Sequence, residues 1–210
     1  MEKITTEEEA LAAVRRYDKA LALLPENLKT PEFCLAAVRE NGWALGSVPK
    51  NLKTAELCRE AVKSGGALGY VPKHLRTAEI CLEAVRWDGF ALEYVPLNLK
   101  TPEICLEAVW QICYALQYVP KKFRTAEICL EAVWQNGYAL QYVPEHIITA
   151  ELCLEAVRNS GMALDYVPKR LRTPELCLKA VKQNGSALKF VPKKFWTEEI
   201  CLEAVKAISQ

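Results

Sequence analysis

The chain is expected to fold as an all-α, right-handed α-solenoid of eight 24-residue, two-helix repeats. Each repeat would pair a long helix with a short α or 3₁₀ helix, and a C-terminal helix would close the array. Two observations carry this. Threonines recur at Thr6, Thr30, Thr54, Thr77, Thr101, Thr125, Thr149, Thr173 and Thr197, a step of 24 residues with one step of 23. Prolines recur in phase with them, at Pro25, Pro49, Pro72, Pro96, Pro120, Pro144, Pro168 and Pro192. A fixed period of this length is the signature of a repeat array in which each unit packs on its neighbours. The whole of 1–210 reads as one repeat domain: a capping repeat over 1–29, seven repeats over 30–196 and a closing helix over 197–210.

Within a repeat, counting its threonine as position zero, the elements follow in order. The threonine is a good N-cap because its hydroxyl can accept from a first-turn N–H that lacks a partner. Proline follows at Pro31, Pro102 and Pro174, where its missing N–H costs nothing. A glutamate at position two (Glu8, Glu32, Glu56, Glu79, Glu103, Glu127, Glu151, Glu175, Glu199) suits the positive end of the helix dipole. Positions three, four, seven and eight are apolar, as in Ile128, Cys129, Ala132 and Val133, and make one helical face. Leucine at position five (Leu130) widens the stripe.

The long helix is expected to stop at Gly42, Gly89, Gly137, Gly161 and Gly185, each taking the left-handed conformation that ends many helices. The second helix follows, as in Tyr138-Ala139-Leu140-Gln141-Tyr142-Val143, and is short enough for a 3₁₀ turn. The proline stops it. A loop then returns to the next threonine, pinned by one apolar side chain (Leu52, Leu75, Leu99, Phe123, Ile147, Leu171 or Phe195). The first repeat has Ala10 in place of cysteine and Arg15-Arg16-Tyr17-Asp18-Lys19 in place of the glycine turn, a polar cap.

The recurring string Thr-[Ala/Pro]-Glu-[Ile/Leu]-Cys-Leu-x-Ala-Val-x-x-Asn-Gly-x-Ala-Leu-x-Tyr-Val-Pro resembles a bacterial and protist family of tandem repeats catalogued as a domain of unknown function. That resemblance implies a helical repeat array with no assigned activity. The architecture is also similar to variant leucine-rich repeats, although the residues do not match them.

Eight of the nine cysteines hold position four: Cys34, Cys58, Cys81, Cys105, Cys129, Cys153, Cys177 and Cys201. Packed helices stand roughly 8–10 Å apart, and a disulfide needs Cα atoms within about 7 Å. The cysteines are therefore expected to form a ladder of reduced, buried thiols acting as small hydrophobes. No apolar run approaches the ~18 residues of a membrane helix. The acidic N-terminus, Met1-Glu2-Lys3-Ile4-Thr5-Thr6, lacks the layout of a signal peptide. A cytoplasmic location, no membrane contact and a monomer are expected.

Catalysis has little to work with. His74 and His146 fall at a loop position where other repeats carry Asn, Lys or Arg, and no phosphate loop, nucleophile elbow or zinc spacing appears. No catalytic residue, cofactor or metal is expected.

The repeats that break the pattern point to binding. Position nine is basic at Arg39, Lys63, Arg86, Arg158 and Lys182 but aromatic at Trp110 and Trp134, with Trp87 one residue further along its own repeat. Position thirteen carries Phe90, Tyr114 and Tyr138. Trp87, Phe90, Trp110, Tyr114, Trp134 and Tyr138 are the candidate contacts for a protein or peptide partner, because clustered exposed aromatics mark interfaces. The alternative is that the tryptophans fold over neighbouring helices and serve the stack. Repeat five has Ile112-Cys113 where others have Asn-Gly, so a left-handed turn there would be strained by roughly 1–2 kcal/mol unless the helix runs on. A net charge of +1 offers no general attraction to polyanions, yet the loops are rich in Lys and Arg. From Lys169 onward nine basic residues face four acidic ones. A nucleic-acid-binding solenoid using this basic edge is the second reading, and steep salt dependence would reveal it.

Overall fold

The computed structural model describes residues 7–17, 19–65 and 68–208. The expectations for Met1–Thr6, including the cap at Thr6, and for Asp18, Ser209 and Gln210 fall outside these. The described residues contain helices and turns and no strand. The chain is an all-α solenoid divided into two compact units, Met1–Gln111 and Ile112–Gln210.

The first unit holds α1 (Glu7–Arg16), α2 (Ala20–Leu23), α3 (Pro31–Glu40), α4 (Ala55–Lys63), α5 (Ala78–Trp87) and α6 (Pro102–Gln111). The second holds α7 (Ala126–Gln135), α8 (Ala150–Asn159), α9 (Pro174–Gln183) and α10 (Glu198–Ile208). In each unit the long helices stack in sequence as one layer, α3 on α4 on α5 on α6 and α7 on α8 on α9 on α10. The short helices form the other layer. After the α-helical α2 they are 3₁₀, over Gly42–Ser47, Leu68–Tyr70 and Gly89–Tyr94 in the first unit and Cys113–Tyr118, Gly137–Tyr142, Gly161–Tyr166 and Gly185–Phe190 in the second. Each complete short helix packs on its following long helix, which locks the layers together.

The caps form as the spacing demands. Each threonine hydroxyl from Thr30 to Thr197 accepts from the N–H three residues on, at distances such as 3.1 Å for Phe33 and 3.4 Å for Ile128. Positions three, four, seven and eight are buried in every complete repeat, as with Ile80, Cys81, Ala84 and Val85. The second helix adds a fully buried leucine in seven repeats, among them Leu45, Leu92, Leu116, Leu140 and Leu164.

The turn between the two helices differs from expectation. No glycine at its start is left-handed; the positive φ in the described chain belongs to Gly65, at +151°. The long helix instead ends in an extended residue, as at Asn136 (φ −155°, ψ 120°), whose Oδ1 accepts from the N–H of Tyr138 at 2.9 Å. Asn41, Asp88 and Asn184 cap their short helices in the same way. At four of these turns the next helix crowds the following glycine. A Cβ on Gly42, Gly137, Gly161 or Gly185 would overlap the carbonyl oxygen of Ala61, Ala156, Ala180 or Ala204 in the next long helix.

Cys113 occupies this glycine position without a change of turn. α6 stops at Gln111, Ile112 is extended at φ −156° and ψ 123°, and the short helix begins at Cys113 as elsewhere. The helix does not run on, and there is no left-handed position to strain. Cys113 is buried. Gly65 answers a different problem. Thr54 and Thr77 stand 23 residues apart, α4 has nine residues against the usual ten, and Gly65 takes up the missing residue with a φ open to glycine.

Two further expectations need correcting. The return segment after each proline is a second 3₁₀ turn, as at Lys121–Phe123 and Lys169–Leu171. The ladder cysteines are free, and Cys34 through Cys177 are buried, but Cys201 is half-exposed because no described helix follows α10. Burial pushes the thiols of Cys81, Cys105, Cys129 and Cys153 up to about 11.

Candidate functional site

A groove of about 670 Å³ lies in the second unit between α7 and α8. Its apolar floor and wall come from Leu130, Trp134, Ile147 and Leu152. Four carboxylates, Glu127, Glu131, Glu151 and Glu155, rim it. Helical spacing produces this arrangement. Positions two, six and nine of α7 point away from the buried stripe, so Glu127, Glu131 and Trp134 share a face, and position five places Leu130 at its edge. Trp134 is 65% exposed and Leu130 51% exposed. Leu130 therefore borders the groove, where the sequence suggested a wider buried stripe.

Between α7 and α8 the cation that bridges adjacent long helices at two steps of the first unit is replaced by tryptophan. In the first unit the position-nine arginine reaches the position-six glutamate of the next helix: Arg39 Nε lies 3.0 Å from Glu60 Oε2, and Arg86 Nε lies 3.8 Å from Glu107 Oε1. Both pairs are 21 residues apart, and the pair at that separation across α7 and α8 is Trp134 and Glu155. Tryptophan leaves Glu155 with Arg158 of its own helix, 3.7 Å away. Glu131 accepts from Gln135 Nε2 at 3.2 Å. The Glu151 carboxyl is held below the usual carboxylate range by its backbone N–H and the Thr149 hydroxyl. That carboxyl thus stays charged at neutral pH.

The other aromatic candidates lie elsewhere. Tyr114 meets Tyr142 edge-on with ring centroids 6.4 Å apart, and Tyr138 meets Tyr166 at 6.3 Å. Asn136 Nδ2 donates to Tyr114 Oη at 3.3 Å. These half-buried rings join consecutive repeats through the short-helix layer and do not line the groove. Trp43 and Tyr70 pair likewise in the first unit, with centroids 6.1 Å apart. In that unit Trp87 (59% exposed) and Trp110 (55% exposed) sit near the C-terminal ends of α5 and α6, and Phe90 is half-buried. Within the second unit, then, Trp134 stands apart from Tyr114 and Tyr138, and its companion is Leu130.

The basic loop edge is partly structural. Arg124 donates through Nε to Val119 O (2.9 Å), through Nη1 to Tyr142 O (2.7 Å) and through Nη2 to Gln117 O (2.9 Å). Arg76 and Arg172 make the same three-way clamp. Trp196 keeps one of these bonds, with Nε1 donating to Val191 O. Sequence reasoning counted these arginines as surface charge; their fixed place just before the threonine was the available signal.

No group of three or more metal-ligating side chains occurs among the described residues. No helix among them is long and apolar enough to cross a membrane. The family described as "Domain of unknown function (DUF4116)" matches five times along the chain, over residues 6–53, 55–100, 101–148, 150–196 and 173–207. The first four matches each span two of the repeats defined by threonine. No curated protein and no solved structure matches the chain.

Proposed function

The chain belongs to this family of tandem helical repeats, and from that premise we propose that it is a non-catalytic, cytoplasmic scaffold that binds a protein or peptide partner. One observation carries the reading: Trp134 and Leu130 stand side by side on α7, each more than half exposed, in an apolar groove of peptide-accommodating size. An exposed tryptophan costs solvation free energy that a partner recovers, and buried tryptophans dominate interface energetics. The free thiols suit a reducing compartment, which favours the cytoplasm.

The test is capture of interacting proteins on immobilised wild-type chain against Trp134→Ala, with circular dichroism confirming that both are folded. The reading expects a partner retained by the wild type and lost from the variant. A partner set identical for both would overturn it.

A further inference from the structure

We infer that the α7–α8 groove takes a cationic amphipathic peptide segment, in which an apolar side chain packs on Trp134 and Leu130 while a flanking lysine or arginine pairs with Glu155 and Glu131. The inference rests on the scaffold reading and names the chemistry of its partner.

The solenoid's own construction supplies the argument. At Arg39 and Arg86 the array bridges adjacent long helices with an ion pair from an arginine to the glutamate of the next helix. Between α7 and α8 the acceptor Glu155 is kept and the donor is replaced by Trp134. The result is an apolar slot with the glutamate of that pair still at its edge. Nearby Glu127, Glu131 and Glu151 give the slot four carboxylates and no lining cation. Among the described residues, the cation within ion-pair reach of this rim is Arg158, on Glu155. A ligand that restores both halves of the missing arginine, the apolar stem and the charge, fits the slot best. An acidic or purely apolar segment would leave the carboxylates desolvated without a partner.

Fluorescence anisotropy with two labelled 12-residue helical peptides tests this, one of leucine and lysine and the other with glutamate in place of lysine. The lysine peptide should bind the full chain with micromolar affinity and the glutamate peptide at least tenfold more weakly. Trp134→Arg rebuilds the ion pair used in the first unit, so it should fold normally and bind the lysine peptide at least tenfold more weakly. Glu131→Gln/Glu155→Gln should weaken binding and flatten its salt dependence. Equal binding of the two peptides, or unchanged binding to Trp134→Arg, would overturn the inference. If Trp134→Ala abolishes capture of a natural partner that the lysine peptide fails to displace, the cationic assignment falls and the scaffold reading stands. If capture is also unaffected, both fall.

Discussion

At Gly137 and Gly185 the absent side chain makes room for the carbonyls of Ala156 and Ala204 in the next helix. Gly137→Ala should therefore cost about 2 kcal/mol, in the range of overpacking a filled core. Cys113 holds the same turn with a buried side chain, so Cys113→Gly should lower stability by about 1 kcal/mol, through lost burial and added unfolded-state freedom. Urea titration of both variants checks the pair; a stabilised Cys113→Gly would show that a left-handed constraint exists after all. The thiols give a second prediction. Burial raises those of Cys81, Cys105, Cys129 and Cys153 from 9.0 to about 11. Raised values favour the neutral form, so this contribution is complete below pH 9 and is lost as pH climbs through about 11. Half-buried Lys53 and Lys100, whose values are lowered by partial burial, act in the opposite sense. Cys129→Ala/Cys153→Ala should consequently show a shallower loss of stability between pH 9 and 11. Under a thiol reagent at neutral pH, half-exposed Cys201 should be modified first and Cys113 slowly, as read by mass spectrometry.

At the scale of the element, most of the repeat was legible because its signals are local. Thr125 caps α7 through Ile128, and Pro174 opens α9, as spacing alone indicates. What stayed hidden depends on neighbours 18 to 24 residues away. A glycine after an asparagine looks like a helix stop, and the carbonyl of Ala156 that demands it comes from the next repeat. An arginine before a threonine looks solvated until Tyr142 of the following repeat supplies its third acceptor. Leu130 looked like core because it follows the stripe, yet it marks the groove. The arginine clamp yields its own prediction. Arg124→Leu keeps the stem but strips three carbonyls of their donor, and should cost about 2–3 kcal/mol. Lys122→Leu, two residues away on an exposed turn, should cost less than about 0.5 kcal/mol. Equal losses in thermal melts would contradict the clamp.

For the whole molecule, regular repeats explain stability, and the proposed binding site rests on a departure from regularity. Each long helix from α3 to α9 buries the same four positions, and Trp134 and Leu130 lie outside that set and remain exposed. The aromatic pairs Tyr114–Tyr142 and Tyr138–Tyr166 belong to the stack, which separates two kinds of aromatic that look alike in the sequence. Three clamping arginines on the loop edge are occupied by carbonyls, so the exposed charges there are lysines such as Lys121 and Lys122. The groove and the loop edge are thus distinct surfaces, and only one should touch the natural partner. Site-specific photo-crosslinking distinguishes them, with p-benzoylphenylalanine placed at Leu130 in the groove or at Lys169 on the loop edge. The scaffold account predicts a partner crosslinked from position 130 and not from position 169; crosslinking from position 169 alone would contradict it.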